Sequence, residues 1–254
     1  MGKCIAIANQ KGGVGKTTTS VNLSSCLAQL GKKVLLIDTD PQGNATSGVG
    51  TERENLEKSV YDVIINAEKI SDVIVKTDHG KLYICPSSID LAGAEIELVS
   101  ASKRETRLKD AVAQIKDDYD FIIIDCPPSL GLITLNSFVC ADSIIIPIQC
   151  EYYALEGLSQ LTNTIRMVKQ QMNRNLDLEG IVLTMYDTRT NLSVQVADEV
   201  KKYYGTKLYK SVIPRNVRLS EAPSYGLPIN IYDSTSKGCD SYMSLAREVI
   251  KANK

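Results

Sequence analysis

The sequence predicts an α/β fold with a mainly parallel, doubly wound sheet that is covered by helices on both faces. Short apolar runs rich in β-branched residues recur along the chain and alternate with helix-length amphipathic segments. The predicted strands are 3–9, 33–38, 82–85, 121–125, 143–149, 180–186 and 208–213, with 229–232 as a further candidate. At 254 residues, 43% of them apolar, the chain is long enough to bury the core of such a fold.

The first predicted strand leads into a glycine-rich loop, and residues 9–19 read NQKGGVGKTTT. In loops of this kind, backbone N–H groups and the N-terminus of the following helix surround the phosphates of a nucleotide. Lys16 is placed to meet the β- and γ-phosphates, and Thr17 is placed to offer its hydroxyl to Mg²⁺. The usual pattern, G-x-x-x-x-G-K-[ST], requires glycine at position 10; this chain has Gln10 there and an additional lysine, Lys11.

A helix over 17–30 is predicted to follow the loop and to end at Gly31, where a left-handed backbone costs little. The next strand, 33–38, then returns parallel to the first by a right-handed crossover. Because this helix begins at the glycine loop, its N-terminus is expected to face the phosphates of a nucleotide.

Acidic residues end two of the predicted strands. Asp38 and Asp40 follow the second strand, and Asp125 ends the strand 121–125. Parallel α/β sheets bind ligands at the carboxyl ends of their strands. Asp125 in this position is suited to reach Mg²⁺ through water, whereas Asp38 and Asp40 alone are also compatible with solvated turn residues before Pro41.

Composition excludes several classes of protein. The seven cysteines form no C-x-x-C pair, which favours buried thiols in a reducing compartment over disulfides or a metal site. No apolar stretch reaches the roughly 18 residues of a membrane span, so a cytoplasmic protein is expected. The net charge is −1, yet residues 180–254 carry +4 and residues 1–179 carry −5. A local basic patch for a phosphate backbone is therefore compatible with the composition.

The loop KGGVGKTTT resembles the deviant Walker A loop of the ParA/MinD ATPases, a branch of the P-loop NTPases. Four later segments are similar to chromosome-partitioning ParA (Soj) proteins in particular: DPQGNATSG at 40–48, IIIDCPPSLG at 122–131, IPIQCEYYALEGL at 146–158 and VIPRNVRLSEAPSYGLPI at 212–229. The resemblance covers essentially the whole chain. It implies a single ParA-type ATPase domain over residues 1–254 with ATP and Mg²⁺ as cofactors.

The resemblance implies a role for each matched residue. Lys11 is expected to reach across a dimer to the partner's nucleotide, Lys16 to bind its own, and Asp40 to orient or activate the attacking water. Thr17, Asp38 and Asp125 are expected to arrange the Mg²⁺ shell. The nucleotide contacts implied are Lys11, Gly12, Gly13, Val14, Gly15, Lys16, Thr17 and Thr18 at the phosphates, and Pro214 and Asn216 at adenine.

The same resemblance implies the partners. An ATP-dependent homodimer is expected to bind double-stranded DNA without sequence preference, through Arg189 and Arg218. A ParB-like centromere-binding protein is expected to stimulate weak hydrolysis and thereby drive partitioning of chromosome origins. The expected location is the cytoplasm, in association with the nucleoid, with no stable membrane association.

A MinD-like regulator of cell division that cycles on a membrane is the main alternative. Such proteins end in an amphipathic membrane helix, whereas residues 242–251 carry only one short apolar stripe, which is better suited to docking on the sheet. A reductase resembling the nitrogenase iron protein lacks support because no cysteine follows a strand in a glycine-rich metal loop. A related tyrosine kinase is disfavoured because its terminal tyrosine cluster is absent.

Overall fold

The computed structural model describes residues 2–254 and contains an eight-stranded sheet with the order β3-β4-β2-β5-β1-β6-β7-β8. Neighbouring strands are parallel except for the antiparallel pair of β3 and β4 at one edge. The strands are β1 (Lys3–Ile7), β2 (Val34–Asp38), β3 (Val75–Lys76), β4 (Leu82–Cys85), β5 (Phe121–Asp125), β6 (Ser143–Gln149), β7 (Asp177–Tyr186) and β8 (Leu208–Pro214). The predicted fold class is confirmed.

Helices of very different lengths connect the strands. They are α1 (Lys16–Gln29), α2 (Asn44–Gly48), α3 (Val60–Ile64), α4 (Leu91–Glu97), α5 (Arg107–Val112), α6 (Leu132–Cys140), α7 (Ala154–Gln171), α8 (Asn191–Tyr204), α9 (Val217–Glu221), α10 (Ile229–Tyr232) and α11 (Lys237–Ala252). No helix within residues 2–254 is long and apolar enough to cross a membrane.

The sheet divides the apolar core into two layers. Alternate residues of β1 point to opposite layers, with Cys4 and Ala6 in one and Ile5 and Ile7 in the other. The first layer also holds buried side chains of α3 to α8, and the second holds those of α1 and α11. Because β2 and β5 are covered on both faces, both are buried over their whole length, and every residue before the final aspartate is apolar.

The first helix and the C-terminal helix follow the predictions from sequence. Helix α1 is capped by Gly31 at φ 90°, one residue beyond Leu30. Helix α11 turns Tyr242, Leu245 and Val249 into the core, where it packs against α1 and β8. The apolar stripe at the end of the chain therefore docks on the sheet, as predicted.

Two details of the sheet differ from the prediction. Residues 229–232 form α10 instead of a strand, because the N–H groups of Ile231 and Tyr232 both donate to the carbonyl of Pro228 and close a short turn. The antiparallel edge strand β3 was not predicted, since its two residues are exposed and carry no alternating pattern.

Segments that follow β2 and β8 contact each other through two glycines. Gly226, at φ 65°, lies against Gly50 and the carbonyl of Ser47; a Cβ on it would lie 3.3 Å from the Gly50 Cα and 3.2 Å from that oxygen. This backbone contact holds the α2 region against the segment that follows α9.

We expect Gly226→Ala to lower the free energy of unfolding by more than Gly31→Ala. Both glycines have positive φ, so each substitution strains the backbone by about 1–2 kcal/mol. Only Gly226 has backbone atoms of another segment close to its missing Cβ, because nothing lies within 4 Å at Gly31. Urea unfolding of both variants tests this, and equal losses would show that the glycine contact does not constrain the fold.

Candidate functional site

A cavity of about 430 Å³ opens at the carboxyl edge of the sheet, between the glycine loop and the segment after β8. Its walls come from the loop, from the ends of β2, β7 and β8, and from α11. The residues lining it are Gly12, Gly13, Gly15, Lys16, Thr17, Thr18, Asp40, Asn44, Pro128, Thr184, Met185, Ile213, Pro214, Arg215, Asn216, Leu219, Ser220, Pro223 and Tyr242. The structure thus brings most of the predicted nucleotide residues and Asp40 together around one cavity, whereas Lys11 and Val14 do not line it.

Lys16 is the buried cation of this cavity, with 7% of its surface exposed. Its Nζ donates to the carbonyl of Lys11 at 3.0 Å, so the loop wraps around its own lysine. Burial lowers the pKa of Lys16, and the charge of Asp125 opposes that shift. An ammonium with so few protein partners is suited to bind phosphate oxygens.

The glycine loop is braced from β7. The Thr184 hydroxyl donates to the carbonyl of Val14 at 2.8 Å, and its methyl group lies where a Cβ on Gly15 would make contact at 3.6 Å. Gly13 and Gly15 have φ of 73° and 86°, which only glycine adopts easily. Thr184 was not predicted as a site residue; a polar side chain at the end of an apolar strand was its only signal.

Lys11 points elsewhere than Lys16. Its ammonium pairs with Glu151, its side chain is 48% exposed, and it does not line the cavity. Its backbone N–H donates to Asn9 Oδ1 at 3.0 Å, and Asn9 Nδ2 donates to the carbonyl of Pro147 at 2.7 Å. The two lysines of the loop therefore have different environments: Lys16 lines the cavity, and Lys11 pairs with Glu151 outside it.

Two carboxyl groups lie side by side behind the loop. Asp38 of β2 and Asp125 of β5 are directly opposite in register, and neither is exposed. Burial raises the pKa of Asp125, and the neighbouring Asp38 raises it further. Burial also raises the pKa of Asp38, against hydrogen bonds from Thr46. A nearby cation would relieve the cost of holding both charges.

The two groups differ in their free hydrogen-bonding capacity. Asp38 accepts from Thr46 N at 2.8 Å, from Thr46 Oγ1 at 2.7 Å and from the N–H of Asp40 at 3.1 Å, so both its oxygens have partners. Asp125 accepts from Ser20 Oγ at 2.8 Å through Oδ1, while its buried Oδ2 has no partner within residues 2–254. The unpartnered oxygen fits an ordered water or a cation, so the site suits Mg²⁺.

Asp40 is half-buried at the wall of the cavity. Its Oδ1 accepts from the N–H of Gln42 at 3.0 Å, which fixes the carboxylate relative to the turn that follows β2. A carboxylate held in this way beside the phosphate loop can orient a water molecule.

The far wall of the cavity is formed where β7 and β8 end. Pro214 and Asn216, the expected adenine contacts, both line it next to Met185 and Tyr242. Asn216 Oδ1 caps α9 by accepting from Leu219 N at 3.2 Å, which leaves its amide N–H groups for a ligand. Met185 has φ 48°, an uncommon conformation for a residue with a side chain.

Arg189 and Arg218 lie outside the cavity, on segments that follow the neighbouring strands β7 and β8. Arg189 makes a bidentate pair with Asp187 at 2.9 and 2.7 Å, and these hydrogen bonds lower the pKa of Asp187 to about 2. Arg218 pairs with Glu221 at 2.9 Å and with Asp233 at 3.4 Å. The structure brings both arginines to one edge of the sheet, each held by a carboxylate.

A further acidic side chain reaches this edge from α4. Glu95 accepts from the N–H of Leu132 at 3.0 Å and from that of Ile133 at 3.3 Å, at the start of α6. A carboxylate here satisfies free N–H groups and suits the positive end of the helix dipole. Glu95 was not predicted, because its partners lie 37 and 38 residues away along the chain.

We expect Lys16→Ala to weaken the binding of a nucleoside triphosphate at least about a hundredfold, because two or more charge-assisted hydrogen bonds to phosphate are lost. Isothermal calorimetry measures this. Lys32→Ala is the matched control, since Lys32 pairs with Asp120 at the opposite edge of the sheet. Near-parent affinity in Lys16→Ala would remove Lys16 from the binding site.

The chain is similar to proteins of known family over its full length. A family model described as an AAA domain matches residues 2–178. The sporulation initiation inhibitor protein Soj of Bacillus subtilis is 60% identical over 98% of this chain and 98% of its own. The chromosome partitioning protein ParA of Myxococcus xanthus is 53% identical over 99% of this chain and 89% of its own.

A solved structure has the same fold. It is described as cobyrinic acid a,c-diamide synthase from Mycobacterium smegmatis with bound ATP analog and magnesium; it is 38% identical, has a TM-score of 0.89, and the match covers 100% of this chain and 96% of that one. The glycine loop, the paired strand-end carboxyl groups and these similarities place the chain in the chromosome-partitioning Soj/ParA family of the ParA/MinD superfamily.

Proposed function

We propose that this chain is an ATPase that dimerises on binding ATP, binds double-stranded DNA without sequence preference and partitions chromosome origins together with a ParB-like partner. The family supports an ATP-hydrolysing enzyme with ATP and Mg²⁺ as cofactors. The proposed location is the cytoplasm, at the nucleoid. ATP binding selects the dimer, and hydrolysis returns it to monomers.

The observation that carries the proposal is the separation of the two loop lysines. Lys16 is buried beside the phosphate cradle, whereas Lys11 leaves the same loop towards solvent and Glu151. In the ParA family the additional loop lysine is expected to reach a partner's nucleotide, and a lysine that lies outside its own cavity is free to do so. Lys11 is placed to neutralise phosphate that a second subunit presents, and it exchanges Glu151 for that phosphate.

Under this proposal, hydrolysis depends on groups that hold the phosphates, a group that orients water and a group of residues that holds Mg²⁺. Lys16 and the N–H groups of residues 12–18 hold the phosphates, and Asp40 orients the water for attack on the γ-phosphorus. Thr17, Asp38 and Asp125 would hold Mg²⁺, and the ion would supply positive charge near the phosphate oxygens. The transition state of this reaction is loose, so positioning supplies most of the catalysis.

DNA binding is assigned to the edge that bears Arg189 and Arg218. Both arginines are exposed and paired with carboxylates of their own subunit. Exposed pairs contribute little, typically about 0–1 kcal/mol, so phosphate replaces the carboxylate at low cost. Two copies of a small patch in one dimer bind more tightly than one copy, which makes DNA binding depend on ATP.

We expect Asp40→Ala to bind ATP and Mg²⁺ but to hydrolyse ATP on the order of a hundredfold more slowly, because the water loses its orienting carboxylate. The variant should therefore accumulate as a dimer in ATP, measured by light scattering after size exclusion. The control is Asp117→Ala, an exposed acid at the amino edge of the sheet. A parent rate in Asp40→Ala would assign the water to another residue.

We expect Arg189→Glu and Arg218→Glu each to weaken binding of duplex DNA and to leave ATP-dependent dimerisation intact, because neither lines the nucleotide cavity. Each lost phosphate contact should reduce the log–log salt slope by about one unit, counted for both subunits. Arg174→Glu is the matched control, because Arg174 is exposed but precedes β7 and so lies at the opposite edge.

Fluorescence anisotropy at several salt concentrations measures these effects. Parent-like DNA affinity in both charge reversals would place the DNA surface elsewhere. A parent dimer that ignores DNA and instead pellets with lipid vesicles would replace the partitioning proposal with the membrane-cycling alternative.

A further inference from the structure

Arg53 lies outside every motif of the sequence, in a short 3₁₀ turn (Arg53–Asn55) that follows α2. We propose that Arg53 is a positioning residue for hydrolysis, which acts by holding the turn that carries Asp40. The inference rests on the proposed role of Asp40 and names a residue that supports it. Arg53 does not line the nucleotide cavity, so the proposed effect acts through the turn and not through contact with the nucleotide.

The guanidinium of Arg53 binds the turn through two consecutive carbonyl groups. Nη1 donates to the carbonyl of Gln42 at 2.5 Å, and Nη2 donates to that of Pro41 at 3.2 Å. These are the two residues directly after Asp40. The planar fork of a guanidinium fixes the direction of both carbonyls at once, which a lysine cannot do.

The same turn is bonded to Asp40 from within. The N–H of Gln42 donates to Asp40 Oδ1 at 3.0 Å, and the N–H of Gly43 donates to the Asp40 carbonyl at 2.9 Å. The peptide that joins Gln42 to Gly43 is therefore held by Arg53 on its oxygen and by Asp40 on its nitrogen. The Gln42 N–H ties the Asp40 carboxylate to this turn, so a displacement of Gln42 alters the position of the carboxylate.

Gly43 makes room for the guanidinium. It is left-handed at φ 64° and precedes α2, and a Cβ on it would lie 2.6 Å from Arg53 Nε. Arg53 thus packs directly against the backbone of the turn, at a distance that only glycine permits. This packing leaves the turn little freedom on that side.

The charge of Arg53 is not used in an ion pair. No carboxylate oxygen lies within 4.0 Å of its guanidinium in the part of the chain that the structure describes. Arg189 and Arg218, in contrast, are both paired with acids. Two backbone carbonyls are the partners of Arg53, which is the pattern of an arginine that fixes a loop.

Arg107 supplies a matched control within the same chain. Its Nη1 donates to the carbonyls of Ile64 and Ile65 at 2.8 and 2.9 Å, which are again two consecutive backbone groups, but at the end of α3. Arg53→Ala and Arg107→Ala therefore remove similar hydrogen bonds from different turns. Only the first should affect hydrolysis.

The test combines turnover at saturating Mg²⁺-ATP, ATP affinity by calorimetry, and amide hydrogen exchange of the nucleotide-free protein. For Arg53→Ala we expect kcat to fall roughly five- to fiftyfold, because small displacements of a catalytic group cost up to about a hundredfold. The Kd for ATP should stay within about twofold, and exchange over residues 40–47 should accelerate. Arg53→Lys should be intermediate in kcat.

Arg107→Ala should keep the parent kcat and accelerate exchange near residues 64–66 instead. If Arg53→Ala keeps the parent kcat, the inference is overturned. It is also overturned if kcat falls while amide exchange over residues 40–47 is unchanged, or if the Kd for ATP rises as much as kcat falls. Failure of the proposed function looks different: a parent that does not bind Mg²⁺-ATP, or Asp40→Ala with the parent rate. The latter result would end the catalytic role of both residues, while faster exchange in Arg53→Ala would still show that Arg53 holds the turn.

Discussion

Two carboxyl groups buried side by side at the end of the central strands set the constraint on which the site depends. Asp38 and Asp125 face each other across β2 and β5 with no exposed surface, so their charges repel in a medium that screens poorly. Three neighbours limit the cost: Thr46 and Ser20 donate hydrogen bonds, and the ammonium of Lys16 lies close enough to lower the energy of the charged form. Ser20 and Lys16 belong to α1 and Thr46 belongs to α2, so the same pair of carboxyl groups fixes both helices relative to the sheet.

The sequence predicted the residues at the centre of the site but not the residues that hold them in place. Glycines, Lys16 and the strand-end acids are adjacent to strong local patterns, and their positions follow from strand periodicity and parallel topology. The supporting residues carry no local pattern. Thr184 meets Val14 across 170 residues, and Glu95 meets Leu132 across 37, so their partners are defined only once the chain has folded. The segment 229–232 was misjudged because it forms a short helical turn after Pro228, in which Ile229 is buried and Ile231 is exposed.

The cationic groups near the site fall into two kinds by their partners. Lys11, Arg189 and Arg218 are at least partly exposed and are paired with Glu151, Asp187 and Glu221. Such pairs keep long side chains in place at little net gain, and they are exchanged readily for the stronger anion that phosphate presents. Under the proposed function, these three pairs mark the surfaces where a second nucleotide and DNA arrive.

Arg53 belongs to the other kind, because its partners are backbone carbonyls that no ligand replaces. Its hydrogen bonds fix two consecutive peptide groups of the turn after β2 and so restrict the positions that the turn can take. For the proposed enzyme, this restriction holds the Asp40 carboxylate at the cavity wall, where it can orient water. Under the same proposal, Lys11 must leave Glu151 before it can bind a partner's phosphate, so the slow step of turnover is expected at the dimer interface.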